Sequence, residues 1–473
     1  VLSPAEASDI RASAVDNDAV AALALWIDGM LQAEAARGEI DHRWPTGSAG
    51  PGRHRVRAEA RDRAGNVGLA EATVELLAAP GSVPSVAPPT AGPATVRVYR
   101  GELVIPTYQY RPALRSDPAS PCYPYPVLDR GSVGPPVPVT YETVSLENEY
   151  LRLTFLPELG GRLYQCTLLP SGQGVFYNNR VLKPSRWGPP EMGWWLAAGG
   201  LEWCLPVDEH GYVTAEPWVA QVEMGIDGSA TVRLEHTERT RNLQASVRMT
   251  LRPSEARFTV APRLENRDPL PKRFQFWLNA MVSLGGSSLS LGTRFVLPTE
   301  EVVIHSTGDS ALGEAHARLA WPVAQGRDLS RYETWRNWLG VFAPAVSAGY
   351  MGAYDPGRNL GIVRVFPKQR VPGVKLFAFG REFPDTASYT DDGSQYAEIW
   401  GGVTATFWDE MELAPGGSVD WTEDWLPIEG LEGITSASNV RRWSPITVRS
   451  KVARVPSPSS RTATSMLPSS SSP

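Results

Sequence analysis

Short runs of β-forming residues recur along this chain, and turn residues break them at close intervals. Between residues 96 and 430 they include VRVYRGELVIPTYQY, YETVSLENEYLRLTFL, ATVRLEHTERT, LQASVRMTLR, RFTVAPRLEN and RFQFWLNAMVSL. No long amphipathic helical pattern interrupts them. The chain carries 42 Pro and 43 Gly in 473 residues. Proline removes a backbone donor and breaks helices and central strands, so this content points to many short strands and turns. The pattern predicts an all-β protein whose body is a large antiparallel sandwich or barrel.

The length fits two or three domains. Residues 1–77 read as a separate small β domain. In GRHRVRAEARDRAGNVG, Arg53, Arg55, Arg57, Glu59 and Arg61 alternate with His54, Val56, Ala58 and Ala60. Period two marks a half-buried strand. The arginine stripe reads as a solvated face before it reads as a binder of an acidic polymer. DRAGNVG is a turn signal and LAEATVEL a second strand. AVAALALWIDG followed by this stretch resembles bacterial immunoglobulin-like modules. That resemblance implies a β-sandwich spacer or adhesion unit of an exported protein, and a secreted or cell-surface location. Residues 78–95 are almost entirely Pro, Ala, Gly, Ser, Thr and Val, a semi-extended linker. Residues 96–430 form the main domain. Residues 431–473 are an extension with a Ser/Pro-rich tail that has little to bury and is expected to be disordered.

A net charge of −6 lacks the basic footprint of a nucleic-acid partner. No window approaches the ~18 apolar residues of a membrane helix. Neither nucleic acid nor membrane insertion is expected. Cys122, Cys166 and Cys204 are scattered, without a disulfide framework or a zinc spacing. No metal centre or cofactor is expected. The chain starts at Val1 without a Met or a signal peptide, as a fragment or a trimmed chain would.

Fourteen of the 16 Trp residues lie at or beyond Trp187, so recognition chemistry belongs to the main domain. In LENEYLRLTFLPELGGRLYQC, a strand ends at Pro157 and Gly160 and Gly161 allow a tight turn. Arg162 follows, either as a fork of donors aimed at a ligand oxygen or as a surface ion pair. In GGLEWCLPVDEHGY, alternation puts Glu202 on the opposite face from Leu201 and Trp203. Desolvation beside an indole raises a carboxyl pKa, which suits general-acid work. His210 is the one histidine of six inside an aromatic, acid-rich cluster, either structural or chemical. In RFQFWLNAMVSLGG, Trp277 and Asn279 share a strand face, either as core residues or as a stacking ring and an amide for sugar hydroxyls. In the segment 394–428, Glu398 and Trp400 share a face. Glu398, between Ala397 and Ile399, is expected to be partly buried.

Together these elements resemble the mutarotase-like (aldose 1-epimerase-like) superfamily. More closely they resemble a bacterial family within it, domain of unknown function 5107, often joined to tetratricopeptide repeats. The resemblance rests on LENEYLRLTFLPELGGRLYQC, VFYNN, GGLEWCLP, the His210–Gly211 pair, RLENRDPLPKRFQFWLNA, and YAEIWGG with ELAPGGSVDWTEDWLPI, in that order. It implies an antiparallel supersandwich with a carbohydrate site on one concave sheet. Mutarotases use a Glu base near the C-terminal end of the domain, paired His residues, an Asp and an Arg. Glu398 stands where that Glu is expected, and Arg162 and His210 match the Arg and one His. Where those enzymes carry a second His, this chain offers Trp277 and Asn279. The Asp has no clear counterpart, although Asp208 is close to His210.

The expected ligand is a mono- or oligosaccharide, held by Arg162, Trp203, Trp277, Asn279 and Trp400. Glu398, His210 and Glu202 are the candidate catalytic residues. Mutarotation would use Glu398 as base and His210 as acid; glycoside hydrolysis would pair Glu202 with Glu398. The alternative is a non-catalytic carbohydrate-binding or scaffold module of an exported protein, since fold alone does not choose.

Overall fold

Strand alternation decides which side chains the fold buries. The computed structural model describes residues 95–431 without a break, 8–76 except for 15–19, 29, 37, 45–51, 64 and 65, and then 433–434, 436–438 and 447–449. The expected linker, apart from its last residue, and most of the expected tail lie outside the described residues. Among the described residues there is no α-helix; the helical pieces are three-residue 3-10 turns.

In the N-terminal part, the arginine stretch forms the strand Gly52–Asp62, paired with Val67–Leu76 and with Val20–Ile27. Val56 is buried while Arg55 and Arg61 are exposed, as the alternation requires. The Asp62 carboxylate accepts the Asn66 backbone N–H at 2.8 Å and its side-chain amide at 2.6 Å, which closes the hairpin. Met30–Ala35 completes a four-stranded sheet, and Ser8–Ser13 pairs with Glu39–Trp44 in a second one. Leu23, Leu25, Ile27, Ile40, Trp44 and Val56 give this part its own small core.

The body consists of a 13-stranded and a 9-stranded sheet, nearly all antiparallel. One large core joins them, drawing Leu153, Trp203, Leu278 and Ile399 from the larger sheet and Val247, Leu264 and Ile362 from the smaller. The middle of the larger sheet runs Arg162–Leu168, Leu201–Cys204, Trp277–Val282, Ala397–Gly402, Gly373–Ala378, Leu339–Phe342 and Glu301–Thr307, in that spatial order.

A buried ion pair ties the two sheets together behind this middle region. Arg364 and Glu423, on neighbouring strands of the smaller sheet, have fully buried side chains. Arg364 donates to both carboxylate oxygens, at 3.1 and 2.8 Å. The indoles of Trp421 and Trp425 donate to the same carboxylate at 3.2 and 2.9 Å. Arg364 also donates to the Trp400 carbonyl across the core at 3.5 Å. A Cβ at Gly401 would lie 2.1 Å from the guanidinium carbon, so glycine makes room for this crossing. Removing one partner of such a pair leaves an uncompensated buried charge, which costs about 3–5 kcal/mol. Glu423→Ala is therefore expected to lower stability by about that amount in guanidinium chloride unfolding. A loss below about 1 kcal/mol would show that the pair does not hold the sheets together.

Candidate functional site

Register builds the site without help from long loops. Glu202 pairs with Asn279, Asn279 with Trp400, Trp400 with Lys375, and Lys375 with Phe342, each on the next strand. Directly opposed side chains on neighbouring strands stand about 4.5–5.5 Å apart. Alternation turns this row away from the main core, which takes Leu201, Trp203, Leu278, Ile399, Val374 and Leu376 instead. Glu398 is two residues from Trp400 and shares its face.

The turn before Arg162 needs both glycines, with φ of 72° at Gly160 and 60° at Gly161. A Cβ at Gly160 would lie 2.4 Å from the Thr214 carbonyl oxygen, so the Thr214 loop closes on the turn. Arg162 is fully buried and donates to the carbonyls of Leu159, Gly199 and Thr214, each at 2.8 Å. Its Nη1 also lies 3.5 Å from Glu202. This corrects the expected reach of Arg162 toward a ligand: its fork is committed to backbone carbonyls, and it acts on the site by holding Glu202.

Glu202 is the hub, with no exposed surface. One oxygen lies 2.6 Å from His210 Nδ1 and accepts the Asn279 amide N–H at 3.1 Å. The other accepts the Trp195 indole N–H at 3.2 Å. Burial pushes the carboxyl up, but His210, Arg162 and the Trp195 N–H together outweigh it, and the group sits below its ordinary range. The expected raised Glu202 is thus reversed, because it has donors on both oxygens. Trp203 is corrected as well. It faces the main core and donates to the Gly161 carbonyl at 3.2 Å, so it does not line the site. Trp195, just upstream of that stretch in the sequence but not among the expected site residues, takes its place.

His210 is carried back over Glu202 by a loop that the Tyr212 N–H closes on the Leu205 carbonyl at 2.8 Å. Its ring stacks on Trp195 with centroids 3.8 Å apart and lies 5.5 Å from Trp400. Nδ1 faces Glu202, while Nε2 has no hydrogen-bond partner among the described residues. Glu398 is 4% exposed and accepts the Trp400 indole N–H at 2.8 Å and the Asn279 amide at 3.5 Å. Burial pushes its carboxyl above the usual range; Lys375, His210 and the Trp400 N–H pull back, and Glu202 adds to the push. Two carboxyls bridged by one amide are thus driven in opposite directions, the pattern that separates acid and base roles.

Aromatic clusters flank these groups. Trp277 and Trp400 pack with Cys204, Phe342 and Phe407, while Trp195 packs with Tyr177, Met281, Phe379, Tyr389 and Tyr396. Trp277 Nε1, Asn279 Oδ1 and His305 Nδ1 are buried without a hydrogen-bond partner among the described residues. Such groups cost about 1–3 kcal/mol each, and three of them gather on one face.

Two residues here carry little signal in the sequence. His305 Nε2 lies 3.3 Å from Glu209, and burial with Lys375 nearby lowers its pKa to about 4. In EVVIHST it has no aromatic or acidic neighbour at strand spacing to betray it. Lys375 is 2% exposed, with its Nζ over the rings of Trp400 at 4.3 Å, Phe407 at 4.6 Å and Phe377 at 5.7 Å. No carboxylate among the described residues lies within 4.0 Å of it, and it makes no hydrogen bond. Cation–π contacts are worth about 0.5–2 kcal/mol, against a burial penalty of several kcal/mol per ion. A lone lysine between Val374 and Leu376 is the one hint of it in the sequence.

Glu202, Cys204 and His210 bring three possible metal-ligand atoms within 4.8 Å of one another. The donor set suits a soft cation poorly, for two reasons. Arg162 stands beside Glu202, and burial with Glu202 and Glu398 nearby drives the Cys204 thiol pKa well up, away from the thiolate a metal needs. A separate cavity of about 360 Å³, lined by Tyr110, Arg111, Glu158, Trp194 and Glu216 among others, shares none of the site residues.

The family model described as "Domain of unknown function (DUF5107)" matches residues 117–428. Among solved structures, the chain is similar to a TPR-domain containing protein from Parabacteroides distasonis ATCC 8503, at 22% identity and a TM-score of 0.62. That likeness covers 74% of this chain and 59% of the other, so this chain spans less than two thirds of that relative, and what they share is fold. A galactose mutarotase-like protein from Clostridium acetobutylicum matches at 11% identity and a TM-score of 0.43, over 61% of this chain and 96% of that one. A galactose mutarotase related enzyme from Lactobacillus acidophilus matches at 12% identity and a TM-score of 0.41, over 60% and 97%.

The Glu398 shift has a consequence for stability. A carboxyl raised in the folded state binds its proton more tightly there. Its contribution is full below the unfolded value of about 4.3 and is lost as pH rises through the folded one. Glu398→Gln removes that loss. The variant is expected to gain melting temperature over wild type at about pH 8 but not at about pH 4. An equal change at both pH values would refute the burial of an ionising group.

Proposed function

The chain belongs to the DUF5107 family, and on that premise we propose that its main domain is a mutarotase-like supersandwich that binds a saccharide and performs acid–base chemistry at the anomeric centre. The observation that carries this reading is the convergence of His210 and Glu398 on one sheet face between two indoles. Glu202 holds Nδ1 of His210, leaving Nε2 to exchange a proton. A carboxylate on Nδ1 fixes the tautomer and stabilises the imidazolium that forms, which suits His210 as acid at the ring oxygen. Glu398, which burial pushes above an ordinary carboxylate, is the base at the anomeric hydroxyl. Trp277 and Trp400, both fully buried, wall the site, and the Asn279 amide oxygen has no partner among the described residues. Glu202 is a positioning residue here. Both its oxygens are occupied, which weighs against the two-carboxylate route of glycoside hydrolysis.

The alternative is a non-catalytic carbohydrate-binding or scaffold module. Depth favours the scaffold reading: His210 is 5% exposed and Glu398 4%. We read the N-terminal part as an immunoglobulin-like spacer and the whole as an exported protein.

The test combines calorimetry over a panel of mono- and oligosaccharides with anomer exchange followed by NMR. Binding with exchange that falls about 100-fold or more in Glu398→Gln and in His210→Ala is expected. Binding without exchange would leave a lectin, and no binding across the panel would reject the saccharide reading.

A further inference from the structure

The charged groups of the site other than Lys375 have a partner at contact distance. Glu202 is held by Arg162 and His210, and Glu209 lies 3.3 Å from His305. Glu398 takes its hydrogen bonds from Trp400 and Asn279. Lys375 touches only ring faces: it is 2% exposed, no carboxylate stands within 4.0 Å of its Nζ among the described residues, and Glu209 and Glu398 act on it from farther away. The strand that carries it otherwise buries apolar side chains: Val374, Leu376 and Ala378 enter the main core. A neutral residue at that position would fill the same space without burying a charge. The N–H donors of the amine find no acceptor among the described residues, and something it binds would supply one.

Its position says what part of a sugar it meets. Lys375 is the direct cross-strand partner of Trp400, and Glu398 lies two residues along that neighbouring strand. The two groups are diagonal neighbours on one face, too far apart for an ion pair with each other. In a pyranose, the anomeric carbon and C5, which bears the C6 group, flank the ring oxygen. A sugar with its anomeric hydroxyl at Glu398 would carry its C6 substituent on the same edge of the ring. Building on the saccharide reading above, we propose that the site takes an anionic saccharide and that Lys375 binds the anionic oxygens of its C6 group, a uronate carboxylate or a phosphate ester. Lysine serves either as a compact point charge, without the bidentate geometry that arginine imposes. The aromatic rings around Nζ exclude water and strengthen that contact.

The experiment titrates the full-length protein with matched ligands: glucose, galactose and mannose, the corresponding uronates, and the corresponding 6-phosphates. Wild type is expected to bind at least one anionic member about tenfold or more tightly than its neutral parent, the scale of a charge-assisted hydrogen bond. Preference for uronate or for 6-phosphate identifies the source of the anion. In Lys375→Gln the ratio of anionic to neutral affinity should fall to about one, while Lys375→Arg should keep part of it. Wild type binding the neutral sugars as well as or better than the anionic ones overturns the proposal, with the saccharide reading left standing. A ratio that survives in a folded Lys375→Gln protein overturns the role of Lys375. If no sugar of any charge binds, the saccharide reading itself fails and this proposal with it. The wild-type ratio decides the ligand class even if the glutamine variant does not fold.

Discussion

A carboxylate with no exposed surface stands in the middle of the larger sheet, and the candidate site is arranged around its needs. Burying an unpaired carboxylate is prohibitive, so Glu202 must collect donors. It collects them from four parts of the chain: Arg162, Trp195, His210 and Asn279. Each donor is in turn placed by something else. Arg162 is set by a glycine turn and three carbonyls, Asn279 by strand register, and His210 by its stack on Trp195. The hub therefore fixes the orientation of an imidazole that keeps its Nε2 for other work.

The same logic recurs on the other side of the sheet. Arg364 and Glu423 are buried in the core, satisfied by two indoles and tied to the backbone of the strand that carries Glu398 and Trp400. The central strand is thus held from behind by one polar network and presents another in front. Sites need this kind of support, because a displacement of an ångström is enough to spoil acid–base geometry. Lys375 stands out against this background, since its counter-charges Glu209 and Glu398 act from beyond 4.0 Å and its Nζ touches only aromatic rings among the described residues.

Much of this is legible in the amino-acid sequence. Alternation puts Glu202 opposite Leu201 and Trp203, joins Trp277 to Asn279 and Glu398 to Trp400, and ends a strand at Pro157; the backbone has all of these features. The family resemblance lies inside the matched segment 117–428. Side-chain roles are harder to read. Trp203 draws attention because it is next to Glu202 in sequence, yet neighbours on a strand point to opposite faces. The indole that reaches Glu202 is Trp195, on another strand. Arg162 resembles a ligand donor because sequence does not reveal the carbonyls of Leu159, Gly199 and Thr214 closing on it.

By itself the sequence determined the strand periodicity, the turns, the absence of long helices and therefore the all-β class, because these depend on residues within a few positions of one another. It also determined that Trp277 shares a strand face with Asn279 and Glu398 with Trp400. Only the tertiary structure decided which strands lie side by side. That pairing brought Lys375 and His305 to a site that neither had announced, and it set the sign of the Glu202 and Glu398 shifts. The physical reason is range. A pKa is set by the charges and donors within a few ångströms, and in this sheet those come from segments separated by tens to hundreds of residues.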